Sequence, residues 1–163
     1  MGMISRRTLA TLFLSIGLVA AGAVPAQSAV PPASGVPVLT GIRTGVHPTF
    51  DRVVLDFSGS PPKVSSRFVD ELIRDGRSDI EWLTGAAFAT VVATPAQAHD
   101  DAGHPSYPGP QKFRTRNLTN VMAVGITGDF EGYLSIGVGM RKQTWVKVFT
   151  LDAPTRVVID VGR

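Results

Sequence analysis

The sequence predicts an all-β chain: a single-domain antiparallel β-sandwich of about eight to nine short strands, with at most one short helix. Three observations carry that expectation. Short runs rich in Val, Ile, Phe and Thr recur along the chain, punctuated by glycine or proline every eight to twelve residues. Within the runs, apolar and polar side chains alternate, the period of a strand with one buried face. One phrase, "RVVLDF" from Arg52, returns nearly unchanged as "RVVIDV" from Arg156.

Taken in order, residues 1–29 read as a cleaved signal peptide. Arg6 and Arg7 precede an apolar run from Leu9 to Val24, and small residues follow at Ala26, Ser28 and Ala29. That run contains Ser15 and Gly17 and falls short of the ~20 residues a membrane span needs. No stable membrane anchor is therefore expected once the leader is removed. The "SRR" ahead of it also resembles a twin-arginine export signal. Residues 30–38, "VPPASGVPV", hold three prolines and no charge and read as a Pro-rich tether. The folded domain is expected over 39–162.

Its strands are expected at "VLTGIRTGVH", an edge candidate, then at "FDRVVLDF" and "KVSSRFVD". In the last, Phe68 and Leu72, with Val69 and Ile73, also fit helical spacing, leaving Arg67 to Arg74 open between strand and helix. A strand is preferred because Asp75 and Gly76 form a hairpin signal. Further strands are expected at "IEWL", "AAFATVVAT", "NVMAVGIT", "GYLSIGVG", "WVKVFTL" and the closing "RVVIDV". Two connections stand out. The long segment between "AAFATVVAT" and "NVMAVGIT" exceeds a minimal loop, and "TGDFEG" reads as a hairpin tip carrying Asp129, Phe130 and Glu131.

Composition excludes several function classes. The chain has sixteen basic and thirteen acidic residues, but without the leader the balance is fourteen to thirteen. Nucleic acid is therefore not an expected partner, since phosphate tracking needs a basic excess. The one basic run, Lys112 to Arg116, reads as a solvated loop. There is no cysteine, which removes disulfides, thiolate metal sites, a Cys nucleophile and a lipidated Cys. An apolar core alone must hold the domain.

The repeated phrase makes a geometric prediction. Strand positions two apart share a face, so Arg52, Val54 and Asp56 point one way and Val53, Leu55 and Phe57 the other. Arg156, Val158 and Asp160 likewise share a face. The charged ends of one copy lie roughly 13 Å apart, too far to pair. Antiparallel neighbours with Val54 opposite Val158 would instead set Arg52 against Asp160 and Asp56 against Arg156. The alternative places the copies in two sheets, where they never touch.

Four blocks in order, "GVHPTFDRVVLDFSG", "AHDDAGHPSYPG", "DFEGYLSIGVG" and "PTRVVIDV", carry a family resemblance. Together they resemble the AMIN-like domain of exported actinobacterial proteins, a relative of the AMIN domain of cell-wall amidases and secretins. The resemblance spans about Leu39 to Gly162. It implies a β-sandwich that helps place envelope proteins, with peptidoglycan binding implied for some AMIN members. In those proteins the domain usually accompanies a catalytic or pore-forming partner, and this chain is expected to leave no room for an amidase.

The loops show polar clusters but no signature of catalysis. His99, Asp100, Asp101 and His104, followed by Tyr107, could ligate a divalent ion. They lie on a Gly- and Pro-containing loop, however, rather than in a helical His-Glu-x-x-His. Capping of the loop's own backbone is the expected role. Asp100 or Asp101 with Asp129 or Glu131 could form a hydrolytic carboxylate pair only if both loops met. No Gly-x-Ser-x-Gly elbow is present. "NLT" at Asn117 reads as the start of a strand rather than a glycosylation acceptor. Trp82 and Trp145 are placed in strands and read first as packing. If Val146 and Val148 face the core, Trp145 and Phe149 form an exposed apolar stripe.

The expected function is a secreted or envelope-associated, non-catalytic module without cofactor or metal, binding a cell-wall polymer or an envelope protein. The candidate ligand-binding residues are His99, Asp100, Tyr107, Asp129, Phe130 and Glu131. Arg52, Asp56, Arg156, Asp160 and Trp145 form a secondary set. A protein-interaction module positioning an envelope enzyme is the second expectation, and a small metal- or carboxylate-dependent hydrolase the third.

Overall fold

The computed structural model describes residues 35–75 and 79–163. The leader, the first part of the tether and Gly76 of the expected hairpin signal lie outside the described residues. Nine strands and no helix are present among the described residues: β1 (Val38–Val46), β2 (Phe50–Ser58), β3 (Lys63–Val69), β4 (Ala87–Thr94), β5 (Lys112–Arg114), β6 (Val121–Phe130), β7 (Tyr133–Met140), β8 (Val146–Asp152) and β9 (Thr155–Gly162). They form two antiparallel sheets, ordered β1-β2-β9-β8 and β3-β4-β7-β6-β5. The all-β sandwich expected from the alternating pattern is the architecture found, and Arg67 begins no helix.

The alternation decides which face is buried. On β2, Asp51, Val53, Leu55 and Phe57 are buried while Phe50, Arg52, Val54 and Asp56 are partly exposed. These meet Leu39 on β1, Val157, Ile159 and Val161 on β9, and the inward rows of the other sheet: Ala89, Val91 and Ala93 on β4 and Leu134, Ile136, Val138 and Met140 on β7. Each Val, Leu, Ile, Phe or Met side chain in these rows stabilises the fold by roughly 1.5–3 kcal/mol when removed from water. That row substitutes for the absent disulfides.

The two copies of the repeated phrase are neighbours. β2 and β9 pair antiparallel with Arg52 opposite Asp160, Val54 opposite Val158 and Asp56 opposite Arg156, the first of the two arrangements considered. Arg52 donates two hydrogen bonds to Asp160, at 2.7 and 2.8 Å. The other expected pair does not form. Asp56 instead accepts from Arg43 on β1 at 2.6 Å twice, and Arg156 donates to the Pro154 carbonyl at 3.1 Å. The reason is Gly41, which lies opposite Asp56 and has no side chain to stop the carboxylate leaning toward β1.

"IEWL" is not a strand. Ile80 makes an isolated bridge to Ile73, and the described residues 70–75 and 79–86 lie on the outer face of the five-stranded sheet. Leu72 seats on Gly137 and Leu83 on Gly125, while the backbone at Thr84 and Gly85 packs on Gly139. Glycines that interrupt the strand pattern in "VGITG" and "SIGVGM" are therefore the floor under this crossing segment. Glu81, buried within it, accepts from Arg74 and, at 2.6 Å, from Lys112. Lys112 sits on β5, so the run read as a solvated loop forms a three-residue edge strand and an anchor. Trp82 is 79% exposed on this segment, neither in a strand nor packed as expected.

At one end of the sandwich Asp51 is wholly inaccessible. It accepts from the backbone of Asn120 at 2.5 Å and of Val121 at 3.0 Å, with Arg163 Nε at 3.4 Å. Asn120 in turn donates its amide to the Gly162 carbonyl at 2.7 Å. Burial pushes the Asp51 pKa up, but donors from Asn120, Val121, Thr119 and Arg163 outweigh it and hold the carboxyl below its ordinary value. This node ties β2, β6 and β9 together. Asn117, expected to start a strand, lies in the bend before it; β6 begins at Val121.

Candidate functional site

The long connection after β4 and the β6–β7 hairpin converge. Their junction is the pair His99 and Asp129: His99 Nδ1 lies 2.7 Å from Asp129 Oδ2, which also accepts from the Ala98 amide at 3.0 Å. Asp129 Oδ1 is buried and has no hydrogen-bond partner among the described residues. Beside them opens a depression of about 420 Å³, lined by His99, Gly103, Pro105, Gln111 and Asp129 among others.

The hairpin tip is a two-residue turn. Glu131 and Gly132 both take positive φ, 50° and 77°, the conformation that lets a tight turn follow the twist of its strands. Gly132 adopts it without strain; Glu131 is held there by the pairing on either side. Phe130 and Tyr133 consequently stand directly opposite each other, 63% and 55% exposed. Around them runs a groove of about 580 Å³ whose walls include Arg67, Glu131 and Ser135. Tyr133 was absent from the sequence candidates, although a two-residue turn places it across from Phe130.

The remaining loop candidates have local roles. Asp100 accepts from the amides of Ala102 and His104 at 2.9 and 2.8 Å, and its other oxygen lies 3.3 Å from His104 Nδ1. The His104 amide foremost, opposed by desolvation and helped by the Ala102 amide, holds Asp100 below its ordinary pKa. Tyr107 packs against the core, and burial pushes its phenol pKa up. Thus His99 meets Asp129 at the depression, Phe130 and Glu131 line the separate groove with Tyr133, and Asp100 and Tyr107 build the loop that presents His99. Among the described residues, no group of three metal-ligating side chains converges.

The secondary candidates divide as well. Arg52, Asp160 and Trp145 share the outer face of the four-stranded sheet with Phe50, whose ring lies 6.2 Å from that of Trp145. His47 stacks on Phe50 at 4.4 Å, and Arg52 lies over both Phe50 and Phe149, at 5.1 and 5.8 Å. Val146 and Val148 pack on the core, Trp145 is 50% exposed and Phe149 partly covered. Asp56 and Arg156 sit on the same face but farther along it, bonded as described above.

The described residues form a two-sheet antiparallel sandwich that presents polar and aromatic groups at its surface. The family model of the AMIN-like domain matches residues 37–163, and the chain belongs to that family. No curated protein and no solved structure matches it. The family's character is that of a non-catalytic, envelope-associated, extracytoplasmic module. No helix among the described residues is long and apolar enough to cross a membrane.

Proposed function

We propose that this chain is an exported, non-catalytic module that binds a cell-wall glycan, peptidoglycan foremost, through the end where the His99 loop meets the β6–β7 hairpin. Export proceeds by the cleaved leader over 1–29. The observation that carries the reading is the contact of His99 with Asp129, which fixes a long connection against a hairpin tip displaying Phe130 and Tyr133. Rings beside a few fixed polar groups are the composition of a ligand surface.

A second reading, a module that positions an envelope enzyme, draws support from β1. Its outer edge from Thr40 to Val46 is largely exposed, and open edges accept strands of partners. A hydrolase has less support, since Asp100 is committed to its own loop and Asp129 to His99. Sedimentation of the purified protein with enzyme-free cell wall separates the readings. The proposal expects wild-type protein to pellet with the wall and the His99→Ala/Phe130→Ala variant to remain in the supernatant. Capture of envelope proteins without wall sedimentation would reject it in favour of the second.

A further inference from the structure

We infer that the outer face of the four-stranded sheet carries a separate saccharide platform, on which the indole of Trp145 stacks against one pyranose ring of a glycan. The inference rests on the glycan reading above but places a contact on a different surface. Its basis is how Trp145 is mounted. A Cβ built on Gly162 would fall 2.5, 2.7 and 2.8 Å from Nε1, Cε2 and Cδ1 of the indole. Three ring atoms at nearly one distance mean that the ring lies face-down over Gly162. Its other face is turned outward, and the side chain is 50% exposed.

The groups around it are polar and fixed. Phe50, opposite Gly162 on β2, walls one side at 6.2 Å between ring centroids. In the next row across the sheet, Lys147, Asp160 and Arg52 lie opposite one another. Asp160 and Arg52 hold each other bidentately, which orients both, while Lys147 is exposed and makes no ion pair among the described residues. An apolar ring face beside a planar charged pair and an exposed ammonium, 5.6 Å from the Phe149 ring centroid, matches the chemistry of a sugar, whose C–H face is apolar and whose rim is hydroxylated. A lipid surface fits less well. Insertion needs side chains that protrude, whereas this indole lies flat, beside a nearly buried carboxylate that hydrocarbon would penalise.

Trp145 is one of two tryptophans, so Trp82→Phe leaves it as the sole reporter. The full chain carrying Trp82→Phe is titrated with peptide-stripped glycan strands from purified cell wall, following indole emission. The proposal expects a saturable emission change. Trp145→Ala, which removes that reporter and is read by isothermal titration calorimetry with the same strands, should weaken binding by about tenfold or more, the effect of losing a central ring contact, with thermal stability unchanged. Gly162→Ala, which keeps the indole but lifts it from its seat, should weaken binding too. Equal affinity of Trp145→Ala and wild type, with weakening confined to His99→Ala/Phe130→Ala, overturns the platform and leaves the hairpin-end reading standing. No binding of strands by any variant overturns both. An emission response to anionic phospholipid vesicles but not to glycan overturns the platform in favour of a membrane surface.

Discussion

Replacing Asp51 by Ala should cost the domain a large part of its stability. The side chain is wholly inaccessible, and it satisfies the amides of Asn120 and Val121 at 2.5 and 3.0 Å. Removing it strands two buried donors, each worth about 1–3 kcal/mol when left unmet. It also leaves Arg163 without its carboxylate. The sum, about 3–5 kcal/mol, is a large share of the ~5–15 kcal/mol available to a domain. With roughly 3 °C lost per kcal/mol in a chain of this size, the melting temperature should fall by about 10–15 °C. Asp51→Asn keeps the shape but presents one NH₂ where an acceptor is needed, so a smaller loss is expected.

The pH dependence follows from the same contacts. The folded pKa of Asp51 is depressed, so its stabilisation is present above the ordinary carboxylate value of about 3.9 and is lost as pH falls through the lower folded value. Glu81 acts in the same sense: burial raises its pKa, but Lys112 and Arg74 outweigh it. Wild type should therefore lose stability on acidification below about pH 4, and Asp51→Asn should show a shallower decline. Urea and thermal unfolding followed by tryptophan emission and circular dichroism measure both. An Asp51→Ala variant within about 0.5 kcal/mol of wild type, or an unchanged pH slope in Asp51→Asn, would refute the reasoning.

Other expectations concern the sheets and their cover. Reversing Arg52 and Asp160 singly, to Asp and Arg, should destabilise the protein, and reversing both should recover about 1–3 kcal/mol of coupling, read from a double-mutant cycle; zero coupling would contradict their pairing. Gly137→Ala drives a Cβ to 2.8 Å from Leu72, so the crossing segment should lift, with about 1–3 kcal/mol lost and faster proteolysis between Asp70 and Ala86. Glu81→Gln should weaken the same segment by removing charge from the contacts with Arg74 and Lys112, and unaltered proteolysis would argue against that anchor.

Much of the fold was legible because its strands are half-buried. In β2 and β9 the period of two names the core residues directly, and the antiparallel register follows from placing Val54 against Val158. Asp51 was legible in principle: it shares the phase of Val53, Leu55 and Phe57, which makes a buried carboxylate the reading that alternation requires. The crossing segment was not legible, because a short apolar run such as Ile80 to Leu83 does not distinguish strand pairing from a segment lying on a sheet. What supports that segment is the absence of side chains at Gly125, Gly137 and Gly139, and glycine reads locally as a breaker. That both loops reach one end was stated only as a condition, for Asp100 or Asp101 with Asp129 or Glu131; that His99 makes the contact was not foreseen. The aromatic companions Tyr133, Phe50 and His47 were missed because their partners lie across a turn or on another strand.

The central claim is that this module holds a wall glycan at the end of the sandwich formed by His99, Asp129 and Phe130. Sedimentation with purified, enzyme-free cell wall tests it most directly, comparing wild type with His99→Ala/Phe130→Ala at matched thermal stability. The account predicts that wild type pellets with the wall and that the double variant loses most of that binding. Wild type remaining soluble, or the double variant pelleting as wild type does, would contradict it.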